Sequence, residues 1–238
     1  MDYHIYHLFP KLLNLYGDRG NITTLCFFAR ELGLNPIVHE IDNVVDINWD
    51  EVDFMLLGGG SDREQAQVTD QLEKIASQLK MAIDKGLAVL AVCGGYQFLG
   101  KYYQDQNGNK LMGLGIFDFY TIGQSKERLI GNTVVETEQF DKIIGFVNHA
   151  GETFGKVSPL GQVSQGYGNN LKSKDEGIFY HNLIGTYLHG PLLPRNPQLT
   201  LFFLEAFLKK NNRQYDLSKL DLSLETTARE QHLKRISE

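Results

Sequence analysis

The chain has 238 residues, enough for one large domain with a sizeable core rather than several small ones. Hydrophobic residues make up 42% and charged residues 22%, which excludes a disordered chain. Asp and Glu exceed Lys and Arg, for a net charge of −6, so the basic footprint of a nucleic-acid binder is absent.

No apolar run approaches the roughly 20 residues of a membrane-spanning helix, so no membrane insertion is expected. The opening Met1-Asp2-Tyr3-His4 lacks the basic region of a signal peptide. Two cysteines, Cys26 and Cys93, cannot form a disulfide framework. Together these point to a reducing, cytoplasmic setting. There is no internal repeat and no low-complexity tract.

In chain order, residues 3–9 read as a strand. Residues 22–32 place Ile22, Leu25, Phe28, Ala29 and Leu32 on one helical face, and Gly33 follows as a stop. Residues 36–41 return to a strand. The run 52–57 is apolar and ends in Gly58-Gly59-Gly60. Ser61 and Glu64 then have capping-box spacing. Val68, Leu72, Ile75, Leu79 and Ile83 continue a helix that Gly86 ends. Residues 87–92 are continuously apolar, as in a strand buried on both faces. This alternation predicts an α/β fold with a mostly parallel central sheet flanked by helices.

From about residue 111 the pattern changes to short, glycine-broken strands at 111–122, 131–137, 143–148, 162–167, 176–180 and 183–188. They are expected to be antiparallel or mixed and to extend the sheet. A last clear helix starts at Asn196-Pro197 and buries Leu199, Phe202, Phe203, Ala206 and Phe207. Residues 1–210 thus read as the domain. Residues 211–238 are a docking helix or a loosely held tail, and the pattern leaves both open.

Cys93 stands where the buried run ends and Gly94-Gly95 begins, with Tyr96-Gln97-Phe98-Leu99 continuing as helix. Strand, nucleophile, glycines, helix is the form of a nucleophile elbow. A sharp turn pushes the side chain out of the sheet. The helix N-terminus behind it favours thiolate over thiol. A free cysteine is usually buried and inert, which suits Cys26 in mid-helix. Two successive glycines after Cys93 are costly unless the turn needs them.

His189 is the best-placed base of seven histidines. It follows the run 184–188 and precedes Gly190-Pro191, at the strand ends where parallel-sheet sites gather. His149, in Asn148-His149-Ala150-Gly151, is second. The 58–60 loop and Gly94 could supply N–H groups to an oxyanion, although a plain strand-to-helix turn would look the same. No P-loop and no dinucleotide fingerprint is present, and no spacing resembles a zinc site.

The segment Ala91-Val92-Cys93-Gly94-Gly95-Tyr96-Gln97, the upstream glycine loop and Tyr187-Leu188-His189-Gly190 resemble the class I glutamine amidotransferases. Ala91 stands where that family has glycine. Pro191 stands where most members have the glutamate that completes a triad, as in the cobyric-acid-synthase-like branch, which manages with a Cys–His pair. Residues 7–22, the loop 57–65 and Gly145-Phe146-Val147-Asn148-His149 bring the chain close to a cell-wall subgroup of that branch. The likeness runs over most of residues 1–210.

The resemblance implies a flavodoxin-like fold and hydrolysis of L-glutamine by Cys93 and His189. It implies an oxyanion hole at Gly59 and Gly94, with Arg128 and Gln97 as substrate contacts. Arginine suits an α-carboxylate because its fork is bidentate, although from residues alone Arg128, beside Lys126 and Glu127, reads as a solvated surface arginine.

The resemblance also implies no cofactor in this chain. ATP and magnesium would sit on a Mur-ligase-like synthetase partner, with the two chains forming a heterodimer. That partner would use the released ammonia to amidate D-glutamate in the peptidoglycan stem peptide of a lipid-linked substrate. Because Pro191 removes the acid, the isolated subunit is expected to be a weak glutaminase that its partner completes. Three alternatives remain on these residues: a glutaminase subunit for another, cobyric-acid-like product, a stand-alone γ-glutamyl cysteine hydrolase, or a non-catalytic scaffold.

Overall fold

Buried apolar runs become strands and amphipathic segments become helices. The computed structural model describes residues 1–123, 128–213 and 216–237. Its first half runs β1 (Asp2–Leu8), α1 (Arg19–Glu31), β2 (Asn35–Ile41), β3 (Phe54–Leu57), α2 (Asp62–Asp84), β4 (Ala88–Val92) and the short α3 (Gly94–Phe98). Strands then follow in succession: β5 (Tyr102–Gln104), β6 (Lys110–Met112), β7 (Phe119–Gly123), β8 (Leu129–Thr137), β9 (Asp141–His149), β10 (Gly151–Gly155), β11 (Gly161–Gln165) and β12 (Asp175–Glu176). Then come β13 (Ile178–Tyr180), β14 (Leu183–Thr186), α4 (Leu192–Arg195), α5 (Pro197–Lys210) and α6 (Ser223–Ser237).

The central sheet has the order β2-β1-β3-β4-β14-β13. All its pairings are parallel except β13 with β14. Every residue of β3 and β4 is buried, which is why both read as unbroken apolar runs. Ser61 caps α2 as expected: it accepts the Glu64 N–H while Glu64 Oε2 accepts the Ser61 N–H at 2.8 Å. Phe203 and Phe207 of α5 pack edge-on and tilted against Phe54 and Tyr3, with ring centroids 5.0 and 4.5 Å apart. The strand order reverses between β1 and β3, so the loops leaving their carboxyl ends splay apart and open a crevice there. Among the described residues, no helix is long and apolar enough to cross a membrane.

The second half departs from expectation. Among the described residues, only β13 and β14 extend the central sheet. The other strands build two separate four-stranded sheets, β10-β7-β5-β6 and β12-β11-β8-β9. The run 111–122 is two strands, because β6 pairs with β5 whereas β7 pairs with both β5 and β10. The run 176–180 divides because the chain changes sheets at Gly177: β12 pairs with β11, and β13 with β14. Strands β5 and β10 carried no clear apolar pattern. Helix α1 starts at Arg19, earlier than its apolar face suggested.

In the C-terminal segment, α6 lies on the β8–β9–β11 sheet. Ile236 is buried with Val134 and Ile144. Gln165 donates to the Ile236 carbonyl at 2.6 Å, and Arg229 donates to the Lys142 carbonyl.

Candidate active site

Strand β4 delivers Cys93 at its carboxyl end with φ +52 and ψ −106, a left-handed conformation that few non-glycine residues adopt. Such backbone costs on the order of 1–3 kcal/mol and persists only where the surroundings enforce it. Here they do. The Cys93 N–H donates to the Thr186 carbonyl at 2.8 Å, and the Gly95 N–H to the Gly58 carbonyl at 3.1 Å. A Cβ on Gly95 would lie 2.0 Å from the Leu57 carbonyl oxygen, so the helix can follow the nucleophile this closely only with glycine there. Ala91 is fully buried, and its methyl is accommodated within the sheet. Cys26 sits in the core of α1, where burial pushes its thiol pKa up.

His189 lies three residues beyond β14. Its backbone is pinned to Phe146 by two hydrogen bonds, N–H to carbonyl at 2.8 Å and the reciprocal one at 3.0 Å. Its side chain is fully buried. Gly59 lies between His189 and Cys93: a Cβ there would stand 3.2 Å from both Cys93 Cβ and His189 Cε1.

The residue that sequence reasoning missed is Asp18. Its carboxylate is fully buried. Oδ1 lies 3.3 Å from His189 Nδ1, and Oδ2 accepts the Gly59 N–H at 2.8 Å. Asp18 immediately precedes α1, but its side chain does not cap that helix; it turns into the crevice instead. Pro191, at the position of the family glutamate, packs against Gly20. The start of α1 is thereby held next to the histidine loop, and a carboxylate from this chain reaches Nδ1 by another route. Burial opposes a charged imidazole at His189. Asp18 and the neighbouring Cys93 sulfur outweigh it and raise the His189 pKa to about 10. Nε2 has no hydrogen-bond partner at rest among the described residues.

The other expected residues fall as follows. The Gly59 N–H is engaged by Asp18, so at rest it does not face an oxyanion. Gly94 is the first residue of α3, and its N–H has no acceptor within the helix. Gln97 is buried, with both ends of its carboxamide occupied. It accepts from Gln65 Nε2 at 3.3 Å and donates to the Tyr187 hydroxyl at 3.2 Å, so it ties α3 to its surroundings. Arg128 is exposed but held. Nε donates to Asn148 Oδ1 at 3.0 Å and Nη2 to the Asn148 carbonyl at 3.2 Å. Its neighbours Lys126 and Glu127 lie outside the described residues. His149 is stacked on Tyr187, centroids 3.7 Å apart, and pairs through Nδ1 with the Gly151 carbonyl at 2.7 Å. Burial above all lowers the His149 pKa to about 4, so it stays neutral.

A model of the CobB/CobQ-like glutamine amidotransferase domain matches residues 4–197. A Staphylococcus aureus protein named lipid II isoglutaminyl synthase (glutamine-hydrolyzing) subunit GatD is 46% identical over 95% of this chain and 93% of its own length. The Streptococcus pneumoniae protein of the same name is 39% identical over 89% of this chain and 82% of its own. A crystal structure of a glutamine amidotransferase superposes with a TM-score of 0.58 at 16% identity, over 85% of this chain and 98% of that one, a likeness of fold. The elbow at Cys93, the histidine beside it and a match spanning most of the chain agree: the protein belongs to the CobB/CobQ-like glutamine amidotransferases.

Proposed function

We propose that this chain is the glutaminase subunit of a lipid II isoglutaminyl synthase. The observation that carries the reading is the buried Cys93–His189–Asp18 constellation on an amidotransferase elbow, in a chain similar along nearly its whole length to proteins of that name. Cys93 attacks the side-chain carboxamide carbon of glutamine, forming the C–S bond of a tetrahedral intermediate. Asp18 holds Nδ1–H of His189, which fixes the tautomer and favours the imidazolium. His189 Nε2–H gives its proton to the departing nitrogen, and ammonia leaves. Water then attacks the γ-glutamyl thioester as Nε2 takes its proton, releasing glutamate and the thiolate.

The Gly94 N–H is the oxyanion donor free of an acceptor in its own helix. Gly59 joins it when its N–H leaves Asp18. Arg128 grips the substrate α-carboxylate with the donors that Asn148 does not use. The partner is a Mur-ligase-like synthetase in the cytoplasm. It binds ATP and magnesium, activates the D-glutamate carboxylate of the lipid-linked stem peptide and receives the ammonia.

The test reconstitutes the full chain with such a synthetase, ATP, magnesium and lipid II. Amidation is expected to depend on glutamine, to stop with Cys93→Ala, and to resume when ammonium is supplied. If free glutaminase activity is neither raised nor coupled by the synthetase, the chain is a stand-alone hydrolase and the assignment fails.

A further inference from the structure

A side chain with no part in the mechanism above joins the two ends of the glutamine subsite. Asn148 is near the end of β9, two residues beyond Phe146, which pins the His189 backbone. Its side-chain oxygen and its main-chain carbonyl both accept from Arg128. Its amide nitrogen donates to the Tyr16 hydroxyl at 2.6 Å. The Tyr16 ring in turn meets the His189 ring edge-on, centroids 4.9 Å apart and planes at 69°. Tyr16 holds this place with a left-handed backbone, φ +57.

These contacts consume one Nε–H and one Nη2–H of the guanidinium. Of its five donors, the two on Nη1 and one on Nη2 remain. A solvated arginine would sample many rotamers and lose that freedom when it closes on an anion. Arg128 has two acceptors from one residue, so its remaining edge is presented in advance. Pre-orientation of this kind lowers the entropic cost of binding.

We propose that Asn148 is the positioning residue of the glutamine subsite. It aims Arg128 at the substrate α-carboxylate and, through Tyr16, ties that aim to the face of His189. The inference rests on the reading of Arg128 as the carboxylate-binding group.

The experiment measures kcat and KM for glutamine in the full chain carrying Asn148→Ala, Asn148→Asp, Arg128→Ala, Tyr16→Phe or the double change R128A/N148A. Labelling of Cys93 is followed alongside with two electrophiles. Diazo-oxo-norleucine carries an α-carboxylate, and iodoacetamide does not.

Asn148→Ala is expected to raise KM by about tenfold or more and to slow labelling by diazo-oxo-norleucine in proportion, as loss of an aimed charge-assisted contact would. Iodoacetamide labelling should keep the parent rate. Asn148→Asp keeps an oxygen for Arg128 but adds a negative charge that competes with the substrate, so its KM should rise at least as far. Tyr16→Phe should raise KM by less, because Arg128 keeps both acceptors. The double change should bind no worse than Arg128→Ala alone.

If Arg128→Ala raises KM but Asn148→Ala stays within about twofold of the parent, Asn148 does not position Arg128. If Asn148→Ala slows both electrophiles alike, its role is in folding and the proposal falls. If Arg128→Ala leaves KM unchanged, the reading of Arg128 fails first and the inference goes with it.

Discussion

Replacing Asp18 by asparagine tests the site most directly. Asn keeps an oxygen that can accept the Gly59 N–H, so the loop at 58–60 retains its anchor. It removes the charge beside His189 and presents an amide N–H in its place, which turns Nδ1 into an acceptor and forces the unproductive tautomer. Opposite charges 3.3 Å apart attract by about 5 kcal/mol at an effective dielectric of about 20. Desolvation of two fully buried groups offsets part of that, and 3.3 Å lies beyond the best hydrogen-bond range. We set the loss at about 3–4 kcal/mol, roughly 10²–10³ in kcat. In serine proteases, loss of the same charge costs about 10⁴ in kcat; a thiolate depends less on its base.

The pH dependence gives a second readout for Asp18→Asn. Asp18 is part of what raises His189 to about 10, so in the variant the imidazolium should deprotonate at lower pH. The alkaline limb of kcat/KM, followed by glutamate release, should move down with it. Because the folded value lies above the free value of 6.5, Asp18 and the Cys93 sulfur together contribute stability that is whole below pH 6.5 and is lost as pH rises through about 10. The gap in melting temperature between parent and variant should therefore close over that window. An Asp18→Asn protein with parent kcat and an unmoved alkaline limb would refute the orienting role.

Three further outcomes follow from the same structure. Cys93→Ala should abolish glutamine hydrolysis, while Cys26→Ala, in the core of α1, should retain it; appreciable turnover without Cys93 removes the nucleophile assignment. Glu176 is fully buried, and its Oε1 accepts from the Tyr187 N–H and the Thr186 hydroxyl at 2.7 and 3.0 Å. Burial raises its pKa from 4.5 to about 7, so its contribution to stability is whole below pH 4.5 and lost as pH rises through about 7. Glu176→Gln keeps the acceptor and cannot ionise, and should melt above the parent at pH 8, by about 3 kcal/mol at most, but not at pH 5; parallel melting curves across pH would contradict this. Ile236→Ala should speed amide exchange throughout α6 with little change in the core of the central sheet, since Ile236 is the buried anchor of that helix; unchanged exchange means that polar contacts hold it.

The parallel half of the fold was legible because β3 and β4 are buried on both faces and α1 and α2 show their apolar stripes. The edge strand β2 is exposed or half-buried over most of its length and reads as a strand from its position between α1 and β3. The apolar runs at 52–57 and 87–92 contain β3 and β4 in full. The elbow was legible because Gly94 and Gly95 follow a buried run at once, and a Cβ on Gly95 has nowhere to go. His189 was found from its place at a strand end. Asp18 left no local trace. It looks like any aspartate before a helix, and only the reversal of strand order between β1 and β3 carries it under His189. The separate sheets of the second half were hidden for a similar reason. Apart from β8 and β9, those strands have two to five residues and take their sheet from whichever partner lies nearest, and the change of sheet at Gly177 is a tertiary choice. That Gln97 already shares its amide with Gln65 and Tyr187 was not legible, because a position on the first turn of a helix does not say which neighbours reach it.

The acid and the base of this site are separated by 171 positions, and the sulfur lies between them in the chain. A triad built with glutamate two residues after the histidine gathers acid and base in one short loop. Here the chain passes from Asp18 through Cys93 to His189, with most of the amidotransferase domain lying between the acid and the base. Until β14 inserts beside β4, Cys93 has neither the strand that shapes its turn nor a base, and Asp18 has no imidazole to hold. Closing so long a loop is an entropic cost met only when the whole central sheet is in register. No half-assembled sheet therefore carries the hydrolytic site, and glutamine is safe from the protein until β14 has taken its place beside β4.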